Sequence, residues 1–138
     1  MAETWLPAAI ARGVDLGFEL MPLRVRGNAL LLEELLGNLI DNAIRHAPAG
    51  GVVNVSCGRQ GKTAWIAVED DGPGIAAADR ERVFERFFQS GRPSGEGSGL
   101  GLAIVREIAR QQGGDVSAAA SERFGGAALQ VTLPAAAD

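Results

Sequence analysis

Between Asn28 and Pro48 the apolar positions Leu32, Leu35, Leu36, Leu39, Ile40, Ala43 and Ile44 recur at helical period and form one broad stripe. The pattern predicts a helix from about Ala29 to Ala47, with Asn28 as its N-cap and Pro48 with Gly50-Gly51 to end it. Upstream, the alternation Leu16, Phe18, Leu20 predicts a strand with one buried face, and Pro22 confines that strand to an edge or an end. Period-two patterns over Val52–Cys57 and Thr63–Glu69 predict a hairpin turning through Gly58-Arg59-Gln60-Gly61, with Val53, Val55 and Cys57 on one face and Ala64, Ile66 and Val68 likewise. Asp70–Ile75 reads as a loop. Ala78–Phe88 reads as a short helical segment with Val83, Phe84, Phe87 and Phe88 placed to bury. Gln89–Ser98 has no periodicity and is rich in Gly, Ser and Pro, which predicts a mobile loop. A helix from Gly99 to Gln112 and a hairpin of Val116–Ala119 with Ala127–Leu133 complete the chain. Helices alternate with paired strands and no internal boundary or repeat interrupts them. The expectation is one domain over 1–138, a two-layer α/β sandwich with a mixed, mostly antiparallel sheet and its helices on one face.

Composition narrows the chemistry. The 138 residues carry a net charge of −4, which argues against a nucleic-acid or anionic-membrane surface. One cysteine, Cys57, excludes an internal disulfide framework and a cysteine zinc site, and one histidine, His46, leaves none for clustered metal ligation. No apolar run approaches the roughly 20 residues of a membrane helix, and 1–7 lack a secretion signal, so the expected setting is cytoplasmic.

Three polar features stand out against the apolar pattern. Asn38, Asn42 and Arg45 project from one helix face about a turn apart. Mid-helix asparagines cost propensity, and a cation with a phosphate would offset that cost: an amide oxygen is a hard ligand suited to Mg²⁺, and Arg45 could pair with phosphate oxygens. Asp41 reads either as a solvated residue or as a partner of that set. Next, Glu69-Asp70-Asp71-Gly72-Pro73-Gly74-Ile75 follows a strand, and a carboxylate there can accept a hydrogen bond from an exocyclic amine. Last, Glu96-Gly97-Ser98-Gly99-Leu100-Gly101-Leu102 runs into a helix start, a ready anion site. Gly61-Lys62-Thr63 mimics the end of a P-loop, but Ser56 occupies the place of its first glycine and a strand follows.

Taken in order, Glu34 through His46 resembles the N box of bacterial sensor histidine kinases, Asp70–Ile75 their G1 box, Val83–Phe88 their F box and Gly97–Leu102 their G2 box. Residues 11–18 resemble the opening strand of membrane-anchored sensors of this class. The resemblance covers about residues 16–133 and implies the Bergerat-type ATP fold shared with type II topoisomerases, heat-shock chaperone ATPases and mismatch-repair ATPases. It implies ATP and Mg²⁺ as ligands, with Asn42 on the metal and Asn38 on phosphates or metal-bound waters. Arg45 and His46 would contact phosphates, and Asp70 would read the adenine amine. Gly72 and Gly74 would shape the pocket, with Ile75 and Phe84 also part of the nucleotide site. Gln89–Ser98 would form the ATP lid. The G2 residues Gly97, Ser98, Gly99, Leu100, Gly101 and Leu102 would bind the nucleotide, with the glycines around its phosphates. Many relatives carry Arg or Lys at the Gln89 position and Tyr at the His46 position. Arg86 is therefore the expected γ-phosphate contact.

Hydrolysing members of the fold can use a glutamate at the Asn38 position as a general base. An amide cannot take a proton at neutral pH, which favours a kinase over an ATPase, with Asn38, Arg45 and Arg86 as the catalytic set. An anti-sigma serine kinase of the same fold is the alternative, disfavoured by the long lid and full F box. His46 lies inside the N box, the wrong place for a phosphoacceptor. The expectation is thus a catalytic fragment whose partners are the dimerisation helices of the same kinase and, indirectly, a response regulator. The full-length kinase would be a homodimer anchored in the inner membrane.

Overall fold

The computed structural model describes residues 7, 9–21, 25, 27–86, 88 and 101–136. The elements are β1 (Asp15–Glu19), α1 (Ala29–His46), β2 (Val52–Gln60), β3 (Thr63–Asp70), α2 (Gly101–Gln111), β4 (Asp115–Ala120) and β5 (Ala127–Pro134). The five strands form one sheet in the order β1-β2-β3-β5-β4. β1 pairs parallel to β2 and every other pairing is antiparallel, so the sheet is mixed and mostly antiparallel as expected. β1 is an edge strand, where Pro22 requires it to be.

Strand register sorts the residues between two faces. Phe18, Val55, Val68, Leu129 and Ala118 form one row across the sheet, and Cys57, Ile66, Val131 and Val116 form the next. This face packs on α1 and α2, and Val53, Val55, Val68, Leu129 and Val131 share one core with Leu35, Leu39, Ile40, Ile44, Val105 and Ile108. Each such buried aliphatic side chain contributes about 1.5–3 kcal/mol. The opposite face carries Gly17, Asn54, Glu69, Ala128 and Ala119 in one row.

α1 starts where the sequence places it: Asn28 Oδ1 accepts the Leu31 N–H at 3.1 Å. Gln112, just past α2, accepts the Asn28 N–H at 3.0 Å, while a Cβ at Gly101 would lie 3.7 Å from Asn38 Oδ1. The two helices therefore run antiparallel, and the start of α2 meets the middle of α1.

Four expectations need correction. Phe18 is 44% and Leu20 61% exposed, because an edge strand has a neighbour on one side only and Leu20 lies past the strand's end. The first hairpin turns at Gly61-Lys62, not over 58–61, since Gly58, Arg59 and Gln60 stay in register with Trp65, Ala64 and Thr63. Ala78–Phe88 is not one helix but two single 3₁₀ turns, Ala77–Asp79 and Arg82–Phe84. The segment still buries Val83 and Phe84 and half-buries Phe88 against the core, anchored by Arg106 of α2 through Glu81 and the Phe84 ring. The second helix ends at Gln111 rather than Gln112. The expected start at Gly99, the burial of Phe87 and the loop Gln89–Ser98 fall outside the described residues.

Candidate functional site

Two contacts lie along the C-terminal half of α1: Asn38 faces the start of α2 at Gly101, and two turns later His46 meets the loop after β3 at Gly72. Helical spacing keeps Asn38, Asn42 and Arg45 on a common face, with the asparagines half-buried and Arg45 exposed. Arg45 pairs with Asp41 at 2.9 Å, one turn earlier, which gives Asp41 the role of partner. Both groups are about half exposed, so the pair orients Arg45 more than it stabilises the helix. Asn38 Oδ1 faces the start of α2 at Gly101. Among the described residues the Asn42 side chain makes no hydrogen bond, and its amide oxygen is available to a ligand.

Asp70 ends β3 on the helix side of the sheet, paired in register with Val53. It is 4% exposed. Its Oδ1 accepts the Gly72 N–H at 2.9 Å and the Ala127 N–H at 3.2 Å. Burial pushes its pKa above the ordinary carboxylate value, opposed by these two N–H donors and by His46, and reinforced by Asp71. Among the described residues Oδ2 has no hydrogen-bond partner. A carboxylate kept buried with one oxygen committed and one open is an acceptor waiting for a donor.

The glycines explain the tightness of this corner. A Cβ at Gly72 would fall 2.5 Å from the His46 carbonyl oxygen, so only glycine lets the loop after β3 touch the end of α1. Gly74 sits at φ +79°, a left-handed conformation that favours glycine. Asp71 closes the other side: its Oδ1 accepts the Val52 N–H at 2.9 Å and ties the loop back to β2.

Ile75 and Leu102 are half-buried against the core, and Phe84 is buried beneath the Arg106 guanidinium, 4.6 Å from the ring centre. Arg106 also donates to Glu81 at 2.7 Å, so α2 grips the 3₁₀ segment. Arg86 is exposed. Gly97, Ser98, Gly99 and Leu100 lie outside the described residues, and Gly101 is the first described residue of α2. The structure thus sets Gly101 beside Asn38, and Asp70 and Gly72 beside His46, along the helix that also carries Asn42 and Arg45.

Residues that sequence reasoning missed complete the site. Gly126 N–H donates to the Asp70 carbonyl at 3.0 Å, and a Cβ at Gly126 would fall 2.4 Å from both that oxygen and Oδ1. Ala127 supplies the second N–H to the carboxylate. Phe124-Gly125-Gly126 reads in the sequence as an ordinary hairpin turn, with no local sign that it closes on a residue more than fifty positions earlier.

The donor set suits a metal–nucleotide ligand: two amide oxygens on one helix face, an arginine beside them, a helix start opposite and a buried open carboxylate. A layer of helices over a mixed sheet, built in this order, is the architecture of histidine-kinase ATP-binding domains. A mycobacterial sensor histidine kinase, MprB, superposes with a TM-score of 0.86 at 31% identity, covering 97% of this chain and 92% of that one. The ATP-binding domain of PrrB from Mycobacterium tuberculosis superposes with a TM-score of 0.71 at 31% identity, covering 98% and 93%.

The chain belongs to the family of histidine kinase-, DNA gyrase B- and HSP90-like ATPases, whose model matches residues 27–137. Among curated relatives, the sensor protein kinase PmrB of Pseudomonas aeruginosa is 37% identical over 91% of this chain and 27% of its own length. The alginate biosynthesis sensor protein KinB of Pseudomonas aeruginosa is 39% identical over 96% of this chain and 22% of its own length. The chain therefore spans about a quarter of the curated sensor kinases it matches, and it corresponds to their histidine-kinase catalytic domain.

Proposed function

We propose that this domain binds Mg-ATP in the corner between α1, β3 and α2 and donates the γ-phosphate to a histidine on a separate dimerisation helix. In this reading the phosphoryl group passes on to a response regulator, and the full-length sensor is an inner-membrane homodimer. The observation that carries it is Asp70: a buried carboxylate at a strand end, on the face of the sheet that packs on α1, with one oxygen that has no partner among the described residues.

Each residue then has a task. Asp70 accepts the adenine amine, and Gly72 and Gly74 let the base lie against backbone. Ile75, Phe84 and Leu102 belong to the nucleotide site through the loops and helix they anchor. Asn42 and Asn38 offer amide oxygens to Mg²⁺, which neutralises phosphate charge when bound. Arg45 and His46 flank the phosphates from the end of α1. The helix start at Gly101, with Gly97, Ser98, Gly99 and Leu100 before it, supplies N–H donors to the same anions. Arg86 neutralises charge on the transferred group. Asn38 cannot act as a base on water, so bound ATP persists until a histidine is presented.

Calorimetry with and without Mg²⁺ tests the assignment. Asn42→Ala is expected to weaken Mg-ATP binding by at least about tenfold, a loss of one charge-assisted ligand, and to leave Mg²⁺-free binding nearly unchanged. Wild-type protein should phosphorylate a dimerisation-helix fragment of a relative added in trans and release little free phosphate. Equal Mg-ATP affinity in both proteins would remove Asn42 from the metal site.

A further inference from the structure

Asp70 is held by a loop, 121–127, that lies outside the four sequence boxes, and that loop is itself tied by one buried hydroxyl. Ser121, at the end of β4, is 3% exposed. Its Oγ donates to Glu69 Oε2 at 2.7 Å and accepts the Phe124 N–H at 3.0 Å. Its backbone closes the loop from both ends: the Ser121 N–H donates to the Gly126 carbonyl at 2.8 Å, and the Gly125 N–H donates to the Ser121 carbonyl at 2.8 Å. Gly126 and Ala127, the next two residues, carry the N–H groups that hold the Asp70 carbonyl and Oδ1.

Glu69 and Asp70 are neighbours on β3 and point to opposite faces of the sheet. Ser121 therefore grips β3 on the outer face through Glu69, while Gly126 and Ala127 grip it at Asp70. The loop 121–127 is a bracket around the last residue pair of the strand. A second tie reaches farther: Arg123 donates to Glu19 Oε1 at 2.8 Å, and Asn54 Nδ2, 6% exposed as a residue, donates to Glu19 Oε2 at 3.0 Å. The bracket thus spans the outer face from the β4–β5 end to β1.

We infer that Ser121 is a positioning residue for base recognition: through Glu69 it holds the 121–127 loop so that the Gly126 and Ala127 N–H groups fix Asp70, turning one carboxylate oxygen inward and leaving the other for the base amine. The inference rests on the nucleotide reading above. Its chemistry is specific, because the hydrogen bonds shown from this loop to other elements go to Glu69, Asp70 and Glu19, on β3 and β1, and not to α1. Loss of Ser121 should therefore erode discrimination at the 6-position of the purine while sparing affinity for the triphosphate and metal.

The test compares binding of Mg-ATP with binding of purine riboside triphosphate, which lacks the 6-amino group, by calorimetry. Wild type is expected to prefer ATP. Ser121→Ala should cut that preference by about fivefold, the worth of one buried hydrogen bond, with affinity for the analogue within about twofold of wild type, and Ser121→Thr should restore it. An unchanged preference in Ser121→Ala overturns the inference, as does an equal weakening toward both ligands that Ser121→Thr fails to restore. A wild-type chain that binds ATP and the analogue equally instead overturns the base-recognition reading itself, and the inference with it. Should Ser121→Ala fold poorly, Glu69→Ala removes the acceptor from the outer face and should give the same selective loss. Amide exchange in the nucleotide-free protein supplies a second readout: the Gly126 and Ala127 N–H groups should exchange faster in either variant than in wild type, with unchanged rates overturning the bracket.

Discussion

At the scale of single residues, the site is a compromise between close packing and a buried charge. Asp70 must be buried to be selective, and the loops around it must be stripped of side chains to let backbone donors reach it. Gly126 shows how little room remains. A Cβ there would fall 2.4 Å from the Asp70 carbonyl oxygen and 2.6 Å from the Gly72 nitrogen. These are backbone atoms that cannot swing aside, so Gly126→Ala is expected to destabilise the chain by about 1–3 kcal/mol, read by chemical denaturation, and to weaken ATP binding beyond that loss. The asparagines, Asp70 and Gly72 were legible because short-range pattern carries them: polar residues interrupt an apolar helix, and an acidic glycine turn follows a strand. Gly126, Ala127 and Ser121 were not, because they reach Asp70 and Glu69 across the sheet, a contact between distant parts of the chain that leaves no periodic mark. Arg106 escaped for a similar reason, since its stacking on Phe84 depends on how α2 docks.

At the scale of elements, the sequence spoke most clearly where burial is one-sided and continuous. The α1 stripe and its Asn28 cap are both realised, because a helix 18 residues long repeats its signal several times. β1 is the counter-example: alternation promised a buried face, and the edge position left Phe18 and Leu20 exposed. The hairpin turn moved to Gly61-Lys62 because cross-strand hydrogen bonds through Gln60 outweigh the turn propensity of Gly58. The position of α1 matters to the site because its far end carries Asn38, Asn42 and Arg45. Asn28 serves it twice, accepting from Leu31 and donating its own N–H to Gln112 beyond α2. Asn28→Ala removes the first bond and keeps the second. The expected cost is about 1 kcal/mol, with nucleotide affinity unchanged, measured by thermal melting and calorimetry on the same samples. A drop in affinity would show that the cap also governs the register of α1 against α2.

At the scale of the whole molecule, Glu19 and Asp115 on one side and Asp70 on the other have opposite linkage to folding. Glu19 is held below its ordinary value chiefly by its hydrogen bonds from Arg123 and Asn54, and Asp115 chiefly by the Val116 N–H. A depressed value means that their contribution is present above the unfolded-state constant and is lost as pH falls through the folded one. Asp70 is raised by burial, so the sign reverses: folding favours its protonated form, and the cost of keeping it charged appears as pH climbs through its folded value. Stability therefore declines in acid through Glu19 and Asp115, while Asp70 pulls the other way. Asp70→Asn separates the two, because an amide oxygen still accepts from Gly72 and Ala127 but carries no charge. Near neutral pH the variant is expected to melt above wild type. That difference should shrink as pH falls and vanish below the ordinary carboxylate range, where Asp70 is protonated in both states. The same variant should lose its preference for ATP over purine riboside triphosphate. A protein that gains stability at neutral pH as it loses base selectivity keeps its charged Asp70 for the ligand and not for the fold. Equal melting temperatures across the whole pH range would instead mean that the two backbone donors already offset the burial.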